Sequence, residues 1–107
     1  MPTLEEAKRK VAELVVAKGF GNTPEEIPNK LLFAFTELGE ASDSWKKAKP
    51  PQETIEELID VIFYILDASR LIDPDANLDE VFERKLAKNH SRPHRYGEAF
   101  RDKLTAS

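Results

Sequence analysis

Proline and glycine restrict this chain more than any other feature, because, Gly39 aside, they fall between stretches of helical periodicity. Residues 19–28, GFGNTPEEIP, hold two glycines and two prolines. Pro50-Pro51, Asp73-Pro74 and Pro93 interrupt the chain further on. Proline cannot continue a helix and biases the residue before it away from helical backbone, so these sites divide the chain into segments. In the first segment Thr3 and Glu6 form a capping box, Ala7, Val11, Leu14, Val15 and Lys18 follow the i, i+3, i+4 rule, and Gly19 marks the stop. Thr23-Pro24 can start a single turn. A second helix is expected from Pro28, where proline suits the first turn, to about Lys47. A third runs from about Gln52 to Ile72. A fourth, LDEVFERKLAKN, has Asn77 as cap and Glu80 three residues on, and stops before Pro93. No β alternation or internal repeat is present. Four helices with short loops predict an all-α, four-helix-bundle-like domain over residues 1–107, with 98–107 as an irregular tail.

Composition narrows the partners. The chain has 107 residues, 34% of them charged, with a net charge of −4. That balance argues against a general surface for polymeric nucleic acid, which needs a basic excess. The absence of cysteine excludes disulfides, cysteine zinc sites and thiol catalysis. MPTLEEAKRK does not read as a signal peptide, and the longest apolar run, Val61 to Leu66, is too short to span a bilayer. A cytoplasmic protein that does not engage a membrane is the expectation.

The acids carry the strongest functional signal. At about 100° per residue, Glu37 and Glu40 lie about 60° apart on one helix face, with Phe33, Ser44 and Lys30 along the same stripe. Asp43 falls further round. The third helix repeats the device: Glu57 and Asp60 stand three apart within TIEELIDVIFYILD. That helix is apolar nearly all round and is expected to be the most buried, with its two acids at least partly inside. One E-x-x-E is most often a solvated face. Two facing pairs concentrate four carboxylates, which need a cation or several Lys/Arg partners. Oxygen ligands favour hard ions, Mg²⁺ or Mn²⁺. A di-iron bundle would show Glu-x-x-His pairs, and neither His90 nor His94 stands in one.

The fourth helix and its exit read ERKLAKNHSRPHRYG. Lys85, Asn89 and Arg92, spaced four and three, share a face if the helix persists, and could hold phosphate oxygens. Compensation of the helix dipole explains cations at this place equally well.

These motifs taken together resemble the MazG-type, all-α nucleoside triphosphate pyrophosphohydrolases, and in particular the small dCTPase/dUTPase-like members. The resemblance rests on Glu37 and Glu40, a spacer of sixteen residues, Glu57 and Asp60, and then Lys85, Asn89 and Arg92 as a K-x-x-x-N-x-x-R element. It covers residues from about 29 to 97. It implies cleavage between the α and β phosphates, giving a nucleoside monophosphate and pyrophosphate. Glu37, Glu40, Glu57 and Asp60 would bind Mg²⁺, one of them also orienting the attacking water, and Lys85, Asn89 and Arg92 would hold phosphates. The base would need an apolar surface near the acids. Phe33, Trp45 and Tyr64 are candidates, with Asn29 and Lys30 for polar contacts and Tyr96 as a weaker one. Phe33 and Phe35 are nevertheless more expected in the core, and Trp45 suits an interface as well as a pocket. The family's small members are dimers or dimer-based tetramers, and an apolar third helix in so short a chain leaves hydrophobic surface for a homo-oligomer. Two other readings stay open: a phosphoribosyl-ATP pyrophosphohydrolase-like enzyme, and a non-catalytic helical interaction module.

Overall fold

A computed structural model describes residues 1–93. Helix α1 spans Leu4–Lys18, α2 Ile27–Lys46, α3 Pro51–Ile72 and α4 Leu78–His90, and the described residues contain no strand. One compact unit comprises Met1–Asn77, and a second begins at Leu78.

Local chemistry sets the ends of α1. The Thr3 hydroxyl accepts the Glu6 N–H at 3.1 Å, which satisfies one of the free donors of the first turn. At the other end Gly19 has φ 68°, in the left-handed region. Its N–H donates to the Val16 carbonyl and the Phe20 N–H donates to the Val15 carbonyl, the two-bond closure that glycine permits. The Thr23-Pro24 turn is a single 3-10 turn, Pro24–Glu26, and α2 follows directly with Pro28 in its first turn.

Helices α2 and α3 form an antiparallel hairpin across Lys47–Pro50. The register is legible in three side-chain pairings. Near the turn, the Ser44 and Thr54 hydroxyls lie 2.9 Å apart. Midway, Glu37 meets Glu57. At the far end the Lys30 ammonium reaches the Asp67 carboxylate at 2.5 Å. The face that α2 buries is made of Lys30, Ala34, Ala41 and Ser44. Alanine and serine at the contact let the two backbones approach closely. Helix α1 packs on α3, burying Val11 and Val15, and Lys8 donates to the Ala76 carbonyl at 3.0 Å.

The core of this unit is thin. Its buried apolar residues are Val11, Val15, Ala34, Ala41, Leu66 and Ala68. Three expectations are corrected here. Helix α3 is not deeply buried: only Leu66, Asp67 and Ala68 are, while Ile55, Leu58, Ile59, Ile62, Phe63 and Ile65 are each at least 40% exposed. The reason is that α1 and α2 cover only part of its circumference. Phe33 and Phe35 are not core residues either. The small residues of α2 face α3, so Phe33 flanks that contact and Phe35, 76% exposed, lies away from it. Asp60, expected to lie at least partly inside with Glu57, is exposed.

In the second unit, α4 carries Asp79 and Glu80 in its first turn and Lys88 and His90 in its last, both favourable to the helix dipole. Lys85 and Asn89 are exposed on α4. The helix ends at His90, so Arg92 lies beyond it, with its backbone N–H donating to the Asn89 carbonyl at 3.4 Å. His94, Tyr96 and the tail 98–107 lie outside the described residues.

Candidate metal centre

Midway along the hairpin, Glu37 and Glu40 of α2 face Glu57 of α3. One carboxylate oxygen from each falls within 4.8 Å of the others. The helix period explains the pair on α2, since residues three apart share a face. The antiparallel register brings in the third. Glu37 and Glu57 are half-buried and Glu40 is exposed. Asp60, one turn further along α3, is exposed and stands outside this convergent set, but its charge still acts on Glu37.

The electrostatics show what the cluster lacks. Partial burial, together with hydrogen bonds and charge from Glu40, a hydrogen bond with Glu57 and the charge of Asp60, pushes Glu37 up to about 7 from 4.5. Like charges at this separation disfavour ionisation of Glu37 in the absence of a counter-ion. The donor set fits a hard divalent cation, because it offers carboxylate oxygens and neither sulfur nor imidazole. Glu37, Glu40 and Glu57 would hold such an ion, their oxygens already lying within 4.8 Å of one another. Asp43 takes no part. It pairs with Lys47 at 2.8 Å on the open surface, which holds its carboxyl below the usual range.

Beside the acids opens a cleft of about 430 Å³. Glu37 and Asp60 line it on the acidic side. Val11, Val15, Phe33, Phe63 and Tyr64 supply apolar wall. Phe33 and Tyr64 contact each other as tilted rings, with centroids 5.6 Å apart. Desolvation and the surrounding carboxylates raise the Tyr64 phenol, so it is neutral and a hydrogen-bond donor at physiological pH. Two charged lining residues are as buried as Val11 and Val15: Lys30 is 6% exposed and Asp67 4%. Their ion pair is flanked by Arg70, whose Nε donates to Asp67 Oδ1 at 2.9 Å. Gly21 also lines the cleft, where a Cβ would come within 2.5 Å of the Glu26 side chain.

Of the residues singled out in the sequence, Glu37, Glu40 and Glu57 converge, and Glu37, Asp60, Lys30, Phe33 and Tyr64 line the cleft. Asn29 and Trp45 are exposed and do not line it; Trp45 is 74% exposed. Lys85, Asn89 and Arg92 belong to the second unit. Sequence reasoning passed over Asp67 and Arg70. A signal existed: Asp67 is an acid seven residues past Asp60, as Lys30 is seven before Glu37. In an antiparallel hairpin that pairs 37 with 60, position 30 faces position 67. The comparisons do not add a relative, since no family model, no curated protein and no solved structure matches the chain.

Proposed function

We propose that this chain is a divalent-metal-dependent nucleotide pyrophosphohydrolase that cleaves a nucleoside or deoxynucleoside triphosphate between its α and β phosphates. The observation that carries the reading is the convergence of Glu37, Glu40 and Glu57 beside an apolar cleft large enough for a nucleobase. The resemblance of the two acidic helices to MazG-type enzymes supports it. Mg²⁺ or Mn²⁺ would be held by Glu37, Glu40 and Glu57, with Asp60 beside them, and would supply charge neutralisation and a bound water of lowered pKa. One carboxylate of the cluster orients the attacking water. Water adds to the α phosphorus, the bond to the bridging oxygen breaks, and pyrophosphate leaves with that electron pair. The proton released from the water passes to the cluster or to solvent. Phe33 and Tyr64 pack against the base. Lys85, Asn89 and Arg92 contact phosphates in this reading, as the resemblance implies. No nucleophilic side chain is needed.

Assembly is part of the same reading. On α2, Leu31, Phe35, Leu38 and Trp45 recur at intervals of four, three and seven, and all four are exposed. On α3, Ile55, Ile59 and Ile62 do the same. Two apolar stripes on a unit with so thin a core support a homodimer or a dimer-based homotetramer. No helix among the described residues is long and apolar enough to cross a membrane, and a cytoplasmic location accords with this reading.

Pyrophosphate release across a nucleotide panel with Mg²⁺ tests the activity, and light scattering coupled to size exclusion tests the assembly. The activity reading fails if no nucleotide releases pyrophosphate and neither Glu40→Gln nor Asp60→Asn lowers metal affinity.

A further inference from the structure

The buried part of the cleft lining includes an ion pair, Lys30 with Asp67, beside Val11 and Val15, and its two members are not equally committed. Asp67 is engaged on both oxygens: Oδ2 accepts from Lys30 Nζ at 2.5 Å, and Oδ1 accepts from Arg70 Nε at 2.9 Å with Nη2 at 2.7 Å. An ammonium carries three donors. Lys30 makes one hydrogen bond, to Asp67, and lines the cleft. Asp67, with three nitrogens on its two oxygens, keeps about one of its roughly four lone-pair sites, so the larger spare capacity at the buried end is on the donor side. The same cleft is lined by Val11, Val15, Phe33 and Tyr64, which would shut water out once a flat apolar ring is seated there. The acids lie elsewhere on the same cleft, so the charged portion of a ligand has a separate place.

We propose that Lys30 selects the base by donating a hydrogen bond to a ring carbonyl oxygen, so that the cleft prefers oxo bases to amino bases. This deepens the functional reading above and rests on its placing a base in the cleft. The carbonyl in question sits at position 6 of a purine or position 4 of a pyrimidine. An exocyclic amine there sets N–H against N–H, so the two Lys30 donors not used by Asp67 lose the acceptor at that position in a desolvated site. Sites that form a buried hydrogen bond to a substrate reject the analogue that cannot make it far more strongly than apolar pockets discriminate size. Asp67 and Arg70 act behind Lys30 as positioning residues: they fix the ammonium at the buried end.

Equilibrium binding of nucleosides, without metal or phosphates, tests the inference independently of hydrolysis. Titration calorimetry of the full chain with inosine, adenosine and purine riboside compares an oxo group, an amine and a hydrogen at one position. Inosine is expected to bind about 10- to 100-fold more tightly than either of the others, the range for a hydrogen bond to a charged group. Uridine should exceed cytidine in the same direction. Lys30→Met should bring the inosine-to-adenosine ratio close to one, with circular dichroism reporting whether the helices persist. Equal binding of inosine, adenosine and purine riboside by the natural chain, or no binding of any of them, overturns the proposal whether or not the variant folds. So does an unchanged ratio in a folded Lys30→Met variant. Failure of pyrophosphate release with every nucleotide, alongside intact inosine selectivity, would instead remove the hydrolase reading and leave an oxo-base binding site.

Discussion

Breaking the buried ion pair from its two sides should have unequal consequences. Asp67→Ala removes the acceptor of Lys30 and of Arg70 together, and leaves an ammonium that is only 6% exposed without a counter-charge. Removing one partner of a buried pair in this way costs about 3–5 kcal/mol. Lys30→Met removes a single contact. Asp67 then keeps Arg70 at 2.7 and 2.9 Å, and methionine retains the apolar stem. That substitution should cost about 1–2 kcal/mol. A domain of this size holds about 5–15 kcal/mol in total, so Asp67→Ala comes close to unfolding it. At about 4–8 °C per kcal/mol, the melting temperature should fall by about 12–40 °C for Asp67→Ala and about 4–16 °C for Lys30→Met. The double change Lys30→Met with Asp67→Leu should recover the part of the loss that comes from the stranded ammonium, because apolar replacement of a buried pair is often neutral, while Arg70 still lacks its acceptor. Thermal melts followed by far-UV circular dichroism, at one fixed protein concentration, measure all three. The reasoning is refuted if Lys30→Met costs as much as Asp67→Ala, or if the double variant melts no higher than Asp67→Ala alone.

Glu40→Gln replaces a charged carboxylate ligand by a neutral amide and relieves Glu37 of the charge of Glu40, so Mg²⁺ affinity should fall by at least about tenfold while the Glu37 carboxyl titrates lower. Calorimetry and carboxyl NMR titration report the two effects, and unchanged affinity would count against the site. The pH dependence follows from Glu37, raised from 4.5 to about 7. Without metal, the folded form holds the extra proton between those values, so this group's contribution favours the fold at low pH and is lost as pH rises from about 4.5 to about 7. Metal binding has the opposite slope, because the proton must leave: Mg²⁺ affinity should climb as pH passes through about 7 and level off above it. Proton release measured in buffers of different ionisation enthalpy checks this, and an affinity flat from pH 6 to 8 would contradict it. Gly19→Ala should destabilise the fold by about 1–2 kcal/mol through backbone strain alone, since a Cβ there meets nothing within 4 Å. A chemical-denaturation midpoint that does not move would show that φ 68° is not required.

The helices were legible in the sequence because their punctuation is local. Thr3 and Gly19 end α1 through hydrogen bonds to residues within five positions, and Pro50-Pro51 separates α2 from α3 without help from the rest of the chain. The shared face of Glu37 and Glu40 follows from the helix period in the same way. What escaped were matters of depth. Phe33 and Phe35 read as core, and α3 read as buried, because hydrophobicity along a chain records how apolar a face is and not whether a neighbour covers it.

Residue identity and short-range hydrogen bonding thus settle which segments are helical, where each one stops and which acids share a face. Only the tertiary hairpin decides which residues meet across it. The register of α2 on α3 brings Glu57 to Glu37 and Glu40, leaves Asp60 on the cleft instead of among the converging oxygens, and buries Lys30 against Asp67. These pairings lie 17 to 37 residues apart in the chain. They depend on Ala34, Ala41 and Ser44 letting two backbones close together, which is a property of the packed pair and of neither helix alone.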